Sequence, residues 1–499
     1  SDLKTTKTNE LHNTHKKIIM STTLIENYKG ALAHASTTSH RLNLFFQTVR
    51  AVNSDTLTEL VAKSWEEHPL HTLKILFYCR DCRGGKGERQ IFFTGMKYVI
   101  KNHRDAFLKN MELVVTKYGR WSDLLEFIDI EEVADPIAEL YAKQLKQDLS
   151  AMNEGKPVTL CAKWAPTEHC AVDNKKHAVK KICAALGVDK KTYRKEYLVP
   201  LRAYSKVIET YMCAKEWSKI DYSKVPGVAM KKLRKAFAKN DKERFEEYLQ
   251  KLKGGDKSVK VNAATVEPHE IVQQCRSLSE PDTILEEQWK EIVKRVEAFG
   301  TMSHSIVLSD VSGSMEGTPM LVSVALGLLI SELTLPPFKD LVITFHENPS
   351  LFQVTGDSLM SRVQNLLRAP WGGTTNLQAA FDLILNKAVE ASLTQDDMPS
   401  RLYIISDMQF DVADRNYATN HEVIKNKYKQ AGYEMPQIVY WNVSPNTKGF
   451  PVTSNEQGVA LLAGFSSSLL KSVINGKEFT PFAIMVETID EKRYEDISL

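Results

Sequence analysis

The sequence is poor in the features that mark secreted, membrane-spanning and disordered proteins. Its 7 cysteines in 499 residues are few and odd in number, so no set of disulfides within the chain could use them all, and a reducing compartment is favoured. The segment Ser1–Met20 is polar rather than a basic region followed by an apolar core. The longest apolar run, Met320–Ile330, is about half as long as a membrane span. We expect a cytoplasmic protein that has no membrane partner.

The first part of the chain has the apolar spacing of helices. The composition, with 43% hydrophobic and 25% charged residues, is that of a globular protein. Up to about Gly300, apolar residues recur mostly at helical spacing, which predicts an all-helical domain, an irregular solenoid or ring of helix pairs similar to HEAT repeats. The predicted helices include Ala106–Thr116, Pro136–Asp148, His177–Leu186, Leu198–Trp217, Ala229–Lys239 and Arg244–Leu252.

After Gly300 the pattern changes to short apolar runs that alternate with helical stretches. Strands that are apolar on both faces and alternate with helices are typical of a parallel, doubly wound, Rossmann-like sheet. The predicted strands are Ser305–Leu308, Leu341–Phe345, Leu402–Ile405, Gln437–Trp441 and Phe482–Val486. The predicted helices are Met320–Leu333, Leu377–Ala391, His421–Ala431 and Leu461–Ile474. The fold class is therefore α plus α/β.

The length predicts two or three domains, and the boundaries follow from the change of pattern. Residues 1–45 form a polar N-terminal segment, and residues 46–255 form the helical domain. Residues 256–300 form a linker that includes a charged connecting helix, predicted at Thr283–Phe299. Residues 301–499 form the doubly wound domain.

Oxygen-bearing side chains follow the predicted strands and turns of the second domain. Asp310, Ser312 and Ser314 come directly after a buried strand, Thr375 follows a glycine turn that opens a helix, and Asp407 ends another strand. Ligands bind at the carboxyl ends of strands in open α/β sheets, and oxygen donors suit a hard cation. The alternatives are an Asx-type turn or helix N-cap with no metal, a loop-capping carboxylate at Asp407, and Thr374 in place of Thr375.

This pattern, Asp310-x-Ser312-x-Ser314 followed by Thr375 and Asp407, resembles the metal-ion-dependent adhesion site of von Willebrand factor A (vWA) domains. The resemblance implies that the two serines and the threonine ligate Mg²⁺ directly or through water. It also implies that the aspartates are direct partners of the metal or hold its ligands. Mn²⁺ and Ca²⁺ are the alternative cations.

A longer resemblance covers nearly the whole chain from about Leu70. It rests on the strings SDVSGSM, WGGTTNLQAAFDLIL, IISDMQFD and GYEMPQIVYWNV, together with HPLHTLKILFYCRDCRGGKGER, YGRWSDLL, AKWAP and IDYSKVPGVAMKK upstream. These strings resemble an uncharacterised family of plants, bacteria and large DNA viruses, in which a helical region precedes a vWA domain. For a viral member, the location would be the host cytoplasm or the virion. The layout is more distantly similar to the Ro autoantigen, whose TROVE helical ring and vWA domain bind small and misfolded RNAs.

The predicted site suits binding better than catalysis. Two carboxylates and three neutral hydroxyls leave a divalent ion with an open coordination position, which an Asp or Glu of a protein ligand could fill. Hydrolysis would need a general base beside a metal-bound water. His304 would sit at the far end of the strand before Asp310, and His346 has no orienting partner in the sequence. We expect a non-enzymatic binding scaffold.

Positive charge is concentrated in the helical half. Residues 161–260 contain 25 Lys and Arg against 12 Asp and Glu, whereas the whole chain has a net charge of only +3. One interpretation is a stripe that binds RNA phosphates, with tyrosines such as Tyr193 and Tyr204 stacking on bases, as in a ribonucleoprotein. The other is a set of solvated helix faces whose tyrosines are core, in which case the protein is a metal-dependent adhesion module without RNA. The candidate RNA contacts are Lys175, Lys176, Lys180, Lys181, Lys190, Lys191, Arg194 and Lys195, with Arg83 and Lys86 of a glycine-rich loop as a second cradle.

Overall fold

The computed structural model describes residues 23–302, 304–345, 348–412 and 418–499. The first half of the predicted polar N-terminal segment and His346 lie outside the described residues. Apart from a short antiparallel hairpin of β1 (Leu24–Glu26) and β2 (Leu32–His34), the described residues before 303 form helices and loops.

The helical half consists of helices of very unequal length. The longest, Arg89–Leu113 and Glu131–Asn153, are amphipathic and bury one side in the core. The other α-helices are His40–Gln47, Ser54–Glu67, Pro69–Arg80, Trp121–Leu124, Cys161–Trp164, Ala171–Lys176, Ala178–Leu186, Lys190–Thr192, Val199–Tyr204, Ile208–Cys213, Gly227–Asn240, Lys242–Lys253, Pro268–Cys275 and Thr283–Glu297. The prediction of one continuous helix at Leu198–Trp217 is wrong. The segment forms two short helices that are separated at Ser205–Val207, where Lys206 has a positive φ.

The second half contains a six-stranded sheet within the described residues. Its strands are β3 (Ser305–Ser309), β4 (Leu341–Thr344), β5 (Ser350–Gln353), β6 (Arg401–Ser406), β7 (Gln437–Asn442) and β8 (Val459–Ala463). They lie in the order β5-β4-β3-β6-β7-β8, and all neighbours are parallel except the edge pair β4 and β5. The order reverses between β3 and β6, so the prediction of a doubly wound sheet is confirmed.

Helices cover the sheet and explain its apolar strands. Every residue of β3 and β8 is buried, as expected for strands covered on both faces. The helix Thr318–Leu333 is apolar nearly all round and has ten consecutive buried residues. The remaining α-helices of this half are Leu359–Leu367, Leu377–Glu390, Asn420–Gln430, Leu470–Ile474 and Pro481–Ile489.

Two predictions near the C-terminus are wrong. The predicted strand Phe482–Val486 is part of the helix Pro481–Ile489, because Thr480 caps its first turn through Ala483 N–H and Pro481 suits a first helical position. The predicted helix Leu461–Ile474 begins instead as β8, which pairs with β7 from Ile438 onward. Short apolar runs do not distinguish a buried strand from a buried helix.

The two halves share one continuous hydrophobic core. The helix Pro268–Cys275 packs on the helix Thr318–Leu333, and the C-terminal segment returns to the helical half. There Tyr494 Oη donates to Asp81 Oδ2 at 2.8 Å and the Arg493 guanidinium donates to Asp81 Oδ1 at 2.7 Å. A second, smaller core is formed by residues between Ile220 and Ile284.

Among the described residues, no helix combines the length and the apolar character that crossing a membrane would require.

Candidate metal centre

The carboxyl ends of β3 and β6 place two aspartates side by side. These parallel strands are neighbours at the point where the strand order reverses, which is where open α/β sheets bind ligands. Asp310 follows β3 and Asp407 follows β6, and the Asp310 N–H donates to Ile405 O at 3.0 Å. The structure therefore brings together two of the predicted site residues.

Asp310 is completely buried and held by two hydrogen bonds. The Ser312 N–H donates to its Oδ1 at 2.9 Å, and Ser406 Oγ donates to its Oδ2 at 2.6 Å. Burial, and after it the nearby charge of Asp407, raise the pKa of Asp310 to about 6 against the opposing effect of these hydrogen bonds. Two carboxyl groups thus lie close together where little solvent can screen their charges.

The two serines stand at the rim of the same loop. Ser312 is buried, Ser314 is exposed, and their Oγ atoms are 3.1 Å apart. Ser314 lies in a short 3₁₀ turn, Gly313–Met315, which brings both hydroxyls to one side of the loop. A pair of hydroxyls this close, beside a buried carboxylate, is a suitable donor set for a hard cation.

Of the two adjacent threonines, only Thr375 is buried. Thr375 is completely buried, whereas Thr374 is exposed. The Thr375 N–H donates to Asp411 Oδ2 at 2.9 Å, and the Asp411 N–H donates back to Thr375 O at 3.0 Å. These bonds tie the loop before the helix Leu377–Glu390 to the loop that follows β6 and Asp407.

Lys29 is in contact with Thr375, which sequence reasoning did not predict. Its Nζ donates to Thr375 Oγ1 at 2.6 Å and lies 3.3 Å from Asp411 Oδ1. Ser406 and Asp411 were missed as well, although their positions in the string IISDMQFD, beside Asp407, could have indicated them. Lys29 reaches the site through tertiary contacts of the hairpin, which no local pattern reveals.

The residues present fit a divalent cation bound by oxygen. Within the described residues, Asp310 and Asp407 form no ion pair, and no group of three or more His, Cys, Asp or Glu side chains is placed to hold a metal. A metal here would therefore depend on the hydroxyls of Ser312, Ser314 and Thr375, as in an oxygen-only site for Mg²⁺. An ammonium group already lies against one of these hydroxyls, so the position accommodates a positive charge.

His304 lies at the opposite end of the sheet. Its carbonyl accepts hydrogen bonds from Ser400 N–H at 2.8 Å and Arg401 N–H at 3.3 Å, at the amino ends of β3 and β6. Its imidazole is therefore a strand length away from Asp310, as the sequence predicted.

Comparison with known proteins divides the chain at the same place as the fold. Residues 26–132 and 129–302 match the model of a domain of unknown function, DUF2828, and residues 304–496 match a second, DUF7788. The chain is also 36% identical over 487 residues to "Uncharacterized protein L728" of Acanthamoeba polyphaga mimivirus, covering 89% of this chain and 83% of that protein. The chain belongs to the DUF2828 family. Its DUF7788 region contains the candidate metal centre, and Lys29 belongs to its DUF2828 region.

The predicted basic stretch lies in the DUF2828 region, and some of its cations already have hydrogen-bond or ion-pair partners within the protein. Lys176 bonds to Glu126 O and to Asp129 Oδ1, Lys181 Nζ donates to Ile128 O at 2.7 Å, and Lys190 pairs with Glu168 at 2.9 Å. Within the described residues, the remaining predicted cations of this stretch are exposed and form no ion pair; they are Lys175, Lys180, Lys191, Arg194 and Lys195. We call these five side chains the free basic set.

Tyr193, one of the tyrosines predicted to stack on bases, is not accessible. Tyr193 is buried and its Oη donates to Pro166 O at 2.8 Å. Tyr204 is partly exposed, but its Oη donates to Lys156 O at 3.0 Å. The interpretation of Tyr193 as a base-stacking residue is wrong, because its ring fills the core between helices.

The predicted phosphate contact at Lys86 is also wrong. Lys86 is completely buried, and its Nζ donates to Phe45 O at 2.7 Å and to Thr48 Oγ1 at 2.7 Å. Burial lowers the pKa of its ammonium to about 8. The loop turns inward because Gly85 packs so closely on Tyr78 O that no side chain would fit. Arg83 remains exposed, so the loop offers a single cation and not a cradle.

Proposed function

We propose that this protein is a non-enzymatic binding scaffold whose DUF7788 region is a vWA-type domain that binds an acidic ligand through Mg²⁺. The observation that carries the proposal is the convergence of three loops on one end of the sheet. Asp310, Ser312 and Ser314 come from the loop after β3, Asp407 from the loop after β6, and Thr375 from a loop tied to the latter through Asp411. The strand order, with one antiparallel edge strand, agrees with this identification.

Each of these residues has a role that follows from its surroundings. The hydroxyls of Ser312, Ser314 and Thr375 would hold the cation, and the carboxylates of Asp310 and Asp407 would hold it directly or through water. Ser406 and the Ser312 N–H fix the orientation of the Asp310 carboxylate. When bound, Mg²⁺ supplies a hard positive charge with an unfilled coordination position, which attracts a carboxylate of a partner. His304, the histidine next to β3, lies at the opposite end of the sheet from Asp310 and so is not placed as a general base, which favours binding over hydrolysis.

Replacing Thr375 should test whether its hydroxyl is a metal ligand, since Asn376 and not Thr375 caps the following helix. We expect Thr375→Ala to weaken Mg²⁺ binding to the metal-free protein by at least about tenfold, because one of few ligands is removed. Thr374→Ala is the matched control: the same change at the neighbouring, exposed residue should leave the dissociation constant unchanged. The measurement is isothermal titration of Mg²⁺. Equal affinities for the two variants would contradict the role of Thr375.

A second function, RNA binding, is favoured by the free basic set. Unpaired, exposed cations on consecutive short helices from residue 171 to residue 198 can approach a phosphate backbone without first breaking ion pairs. This function does not need the metal centre, so the two activities are separable. Small or misfolded RNA is the proposed ligand class.

Charge reversal should test the RNA proposal. We expect the triple variant Lys175→Glu, Lys180→Glu, Lys191→Glu to bind single-stranded RNA more than about tenfold more weakly. Its salt dependence should also become weaker, by about 0.7 in log–log slope for each phosphate that the variant no longer neutralises. The matched control reverses three exposed lysines of the DUF7788 region, Lys387, Lys429 and Lys477, and should keep the affinity. Filter binding over a salt series measures both variants.

Two outcomes would contradict the RNA proposal. If both triple variants lose affinity for RNA equally, the loss reflects the change in net charge and not the position of the lysines. If neither variant nor the unmodified protein binds RNA, while Mg²⁺-dependent capture of an acidic protein persists after RNase treatment, the protein is an adhesion module without RNA.

A further inference from the structure

The N-terminal hairpin delivers a fixed positive charge to the candidate metal centre. Lys29 lies at the turn between β1 and β2, and its Nζ touches Thr375 Oγ1 at 2.6 Å. The same ammonium forms an ion pair with Asp411 Oδ1 at 3.3 Å. Asp411 also accepts a hydrogen bond from the Thr375 N–H through its Oδ2. An ammonium and a proposed metal ligand are thus in direct contact, 346 residues apart in sequence.

The hairpin is held in this position by its own bonds to the same loop. Asn27 Nδ2 donates to Phe410 O at 2.9 Å, and the Tyr28 N–H donates to Gln409 Oε1 at 2.9 Å. Asn27 Oδ1 accepts from the N–H groups of Lys29 and Ala31, which shapes the turn around Lys29. The Lys29 side chain is only 26% exposed, so its position is set by packing as well as by charge.

We propose that Lys29 is a built-in cation that competes with the divalent metal for Thr375. This inference rests on the proposed function. A metal bound to Thr375 Oγ1 at about 2.1 Å would lie within about 5 Å of an ammonium held 2.6 Å from the same oxygen. Two positive charges at that separation repel each other, and a partly buried site screens them less than water does. Loading of the metal therefore displaces Lys29 and loosens the hairpin, and docking of the hairpin lowers the affinity for the metal.

The competition predicts an unusual gain of affinity on mutation. We expect Lys29→Met and Lys29→Gln to bind Mg²⁺ at least about tenfold more tightly than the unmodified full-length protein. Methionine keeps the apolar stem, and glutamine keeps hydrogen-bond donors without the charge, so the two variants separate charge from packing. Lys448→Met is the matched control: Lys448 is exposed, and its ammonium lies 5.5 Å from the ring centroid of Tyr28, a residue of the same hairpin as Lys29. Its affinity should stay within about twofold of the unmodified protein, because exposed charges are screened.

Isothermal titration of Mg²⁺ measures the dissociation constants of the unmodified protein, the two Lys29 variants and Lys448→Met, each freed of metal beforehand. Hydrogen exchange provides the second readout: Mg²⁺ should speed exchange at the amides of Tyr28 and Ala31 in the unmodified protein and leave the Lys29 variants unaffected. Equal or weaker Mg²⁺ binding in both Lys29 variants, with binding intact in the unmodified protein, would overturn the competition and leave the metal site standing. A gain of the same size in Lys448→Met would overturn it too, since the effect would then be one of general charge. Absence of Mg²⁺ binding in all four proteins would overturn the proposed function and the competition with it.

Discussion

Replacing Asp123 by alanine should lower the free energy of unfolding by about 3–5 kcal/mol, because it leaves a buried guanidinium without its counter-charge. The Asp123 side chain has no exposed surface and accepts hydrogen bonds from Arg80 Nε at 2.7 Å and Arg89 Nε at 3.1 Å. The Arg120 N–H adds a third bond at 3.0 Å. Arg80 is itself only 4% exposed, so its charge cannot be solvated when the aspartate is removed.

Chemical denaturation followed by tryptophan fluorescence measures this loss. Asp105→Ala is the matched control: Asp105 also faces an arginine, Arg104 at 3.5 Å, but its side chain is 98% exposed. Exposed pairs of this kind contribute at most about 1 kcal/mol, so the control should remain close to the unmodified protein. If the free energies of unfolding of Asp123→Ala and Asp105→Ala differed by less than about 1 kcal/mol, the three arginines would not need Asp123 as a counter-charge.

Replacing Asp310 by asparagine should abolish the stabilisation of the protein by Mg²⁺. At a Mg²⁺ concentration of about 100 times the dissociation constant, binding to the folded state alone stabilises it by about 2.7 kcal/mol, and this whole increment should disappear. Asparagine keeps the size of the side chain, and its Oδ1 can still accept from the Ser312 N–H. Its Nδ2 can only donate, so Ser406 Oγ would have to accept a hydrogen bond where it now donates one to Asp310 Oδ2. Because burial and the charge of Asp407 disfavour ionised Asp310, the metal-free variant should melt no lower than the unmodified protein.

Melting temperatures with and without Mg²⁺ test this second prediction, with EDTA to define the metal-free state. Thr374→Ala is again the control and should keep the full Mg²⁺ shift. If Asp310→Asn gained the same shift as the control, the metal would have to bind elsewhere. If Asp310→Asn melted far below the unmodified protein in EDTA, Asp310 would also stabilise the fold in the absence of metal.

The sequence predicted the sheet well where strands are buried on both faces. β3 and β6 were found because their apolar runs are short, continuous and followed by Asp310 and Asp407. Both the end of a strand and the residue after it are local features, so two candidate ligands, Asp310 and Asp407, could be predicted to lie close together from the sequence. The segment Phe482–Val486 was mistaken for a strand because an apolar run of that length has no distinct period, and the cap at Thr480 decided its conformation.

Residues positioned by distant contacts were missed or misread. Lys29 lies between strands of three residues each, which are too short to recognise and are held by Phe410 and Gln409 far along the chain. The glycines around Lys86 predict a surface cation, whereas the carbonyl groups of Phe45 and Thr48 accept hydrogen bonds from its ammonium in the protein interior. In both cases a lysine's role depends on which backbone and side-chain oxygens the fold places around it, and neighbouring residues do not encode that.

Manganese-soaked crystals provide a direct test of the proposal that oxygens from three separate loops hold one divalent cation. We predict a single strong anomalous peak within about 2.5 Å of the hydroxyl oxygens of Ser312, Ser314 and Thr375, next to Asp310 and Asp407. The Lys29 ammonium should have moved away from Thr375 in the same map. A map with no anomalous peak at this end of the sheet, although manganese has reached other sites of the same crystal, would contradict the proposed metal site.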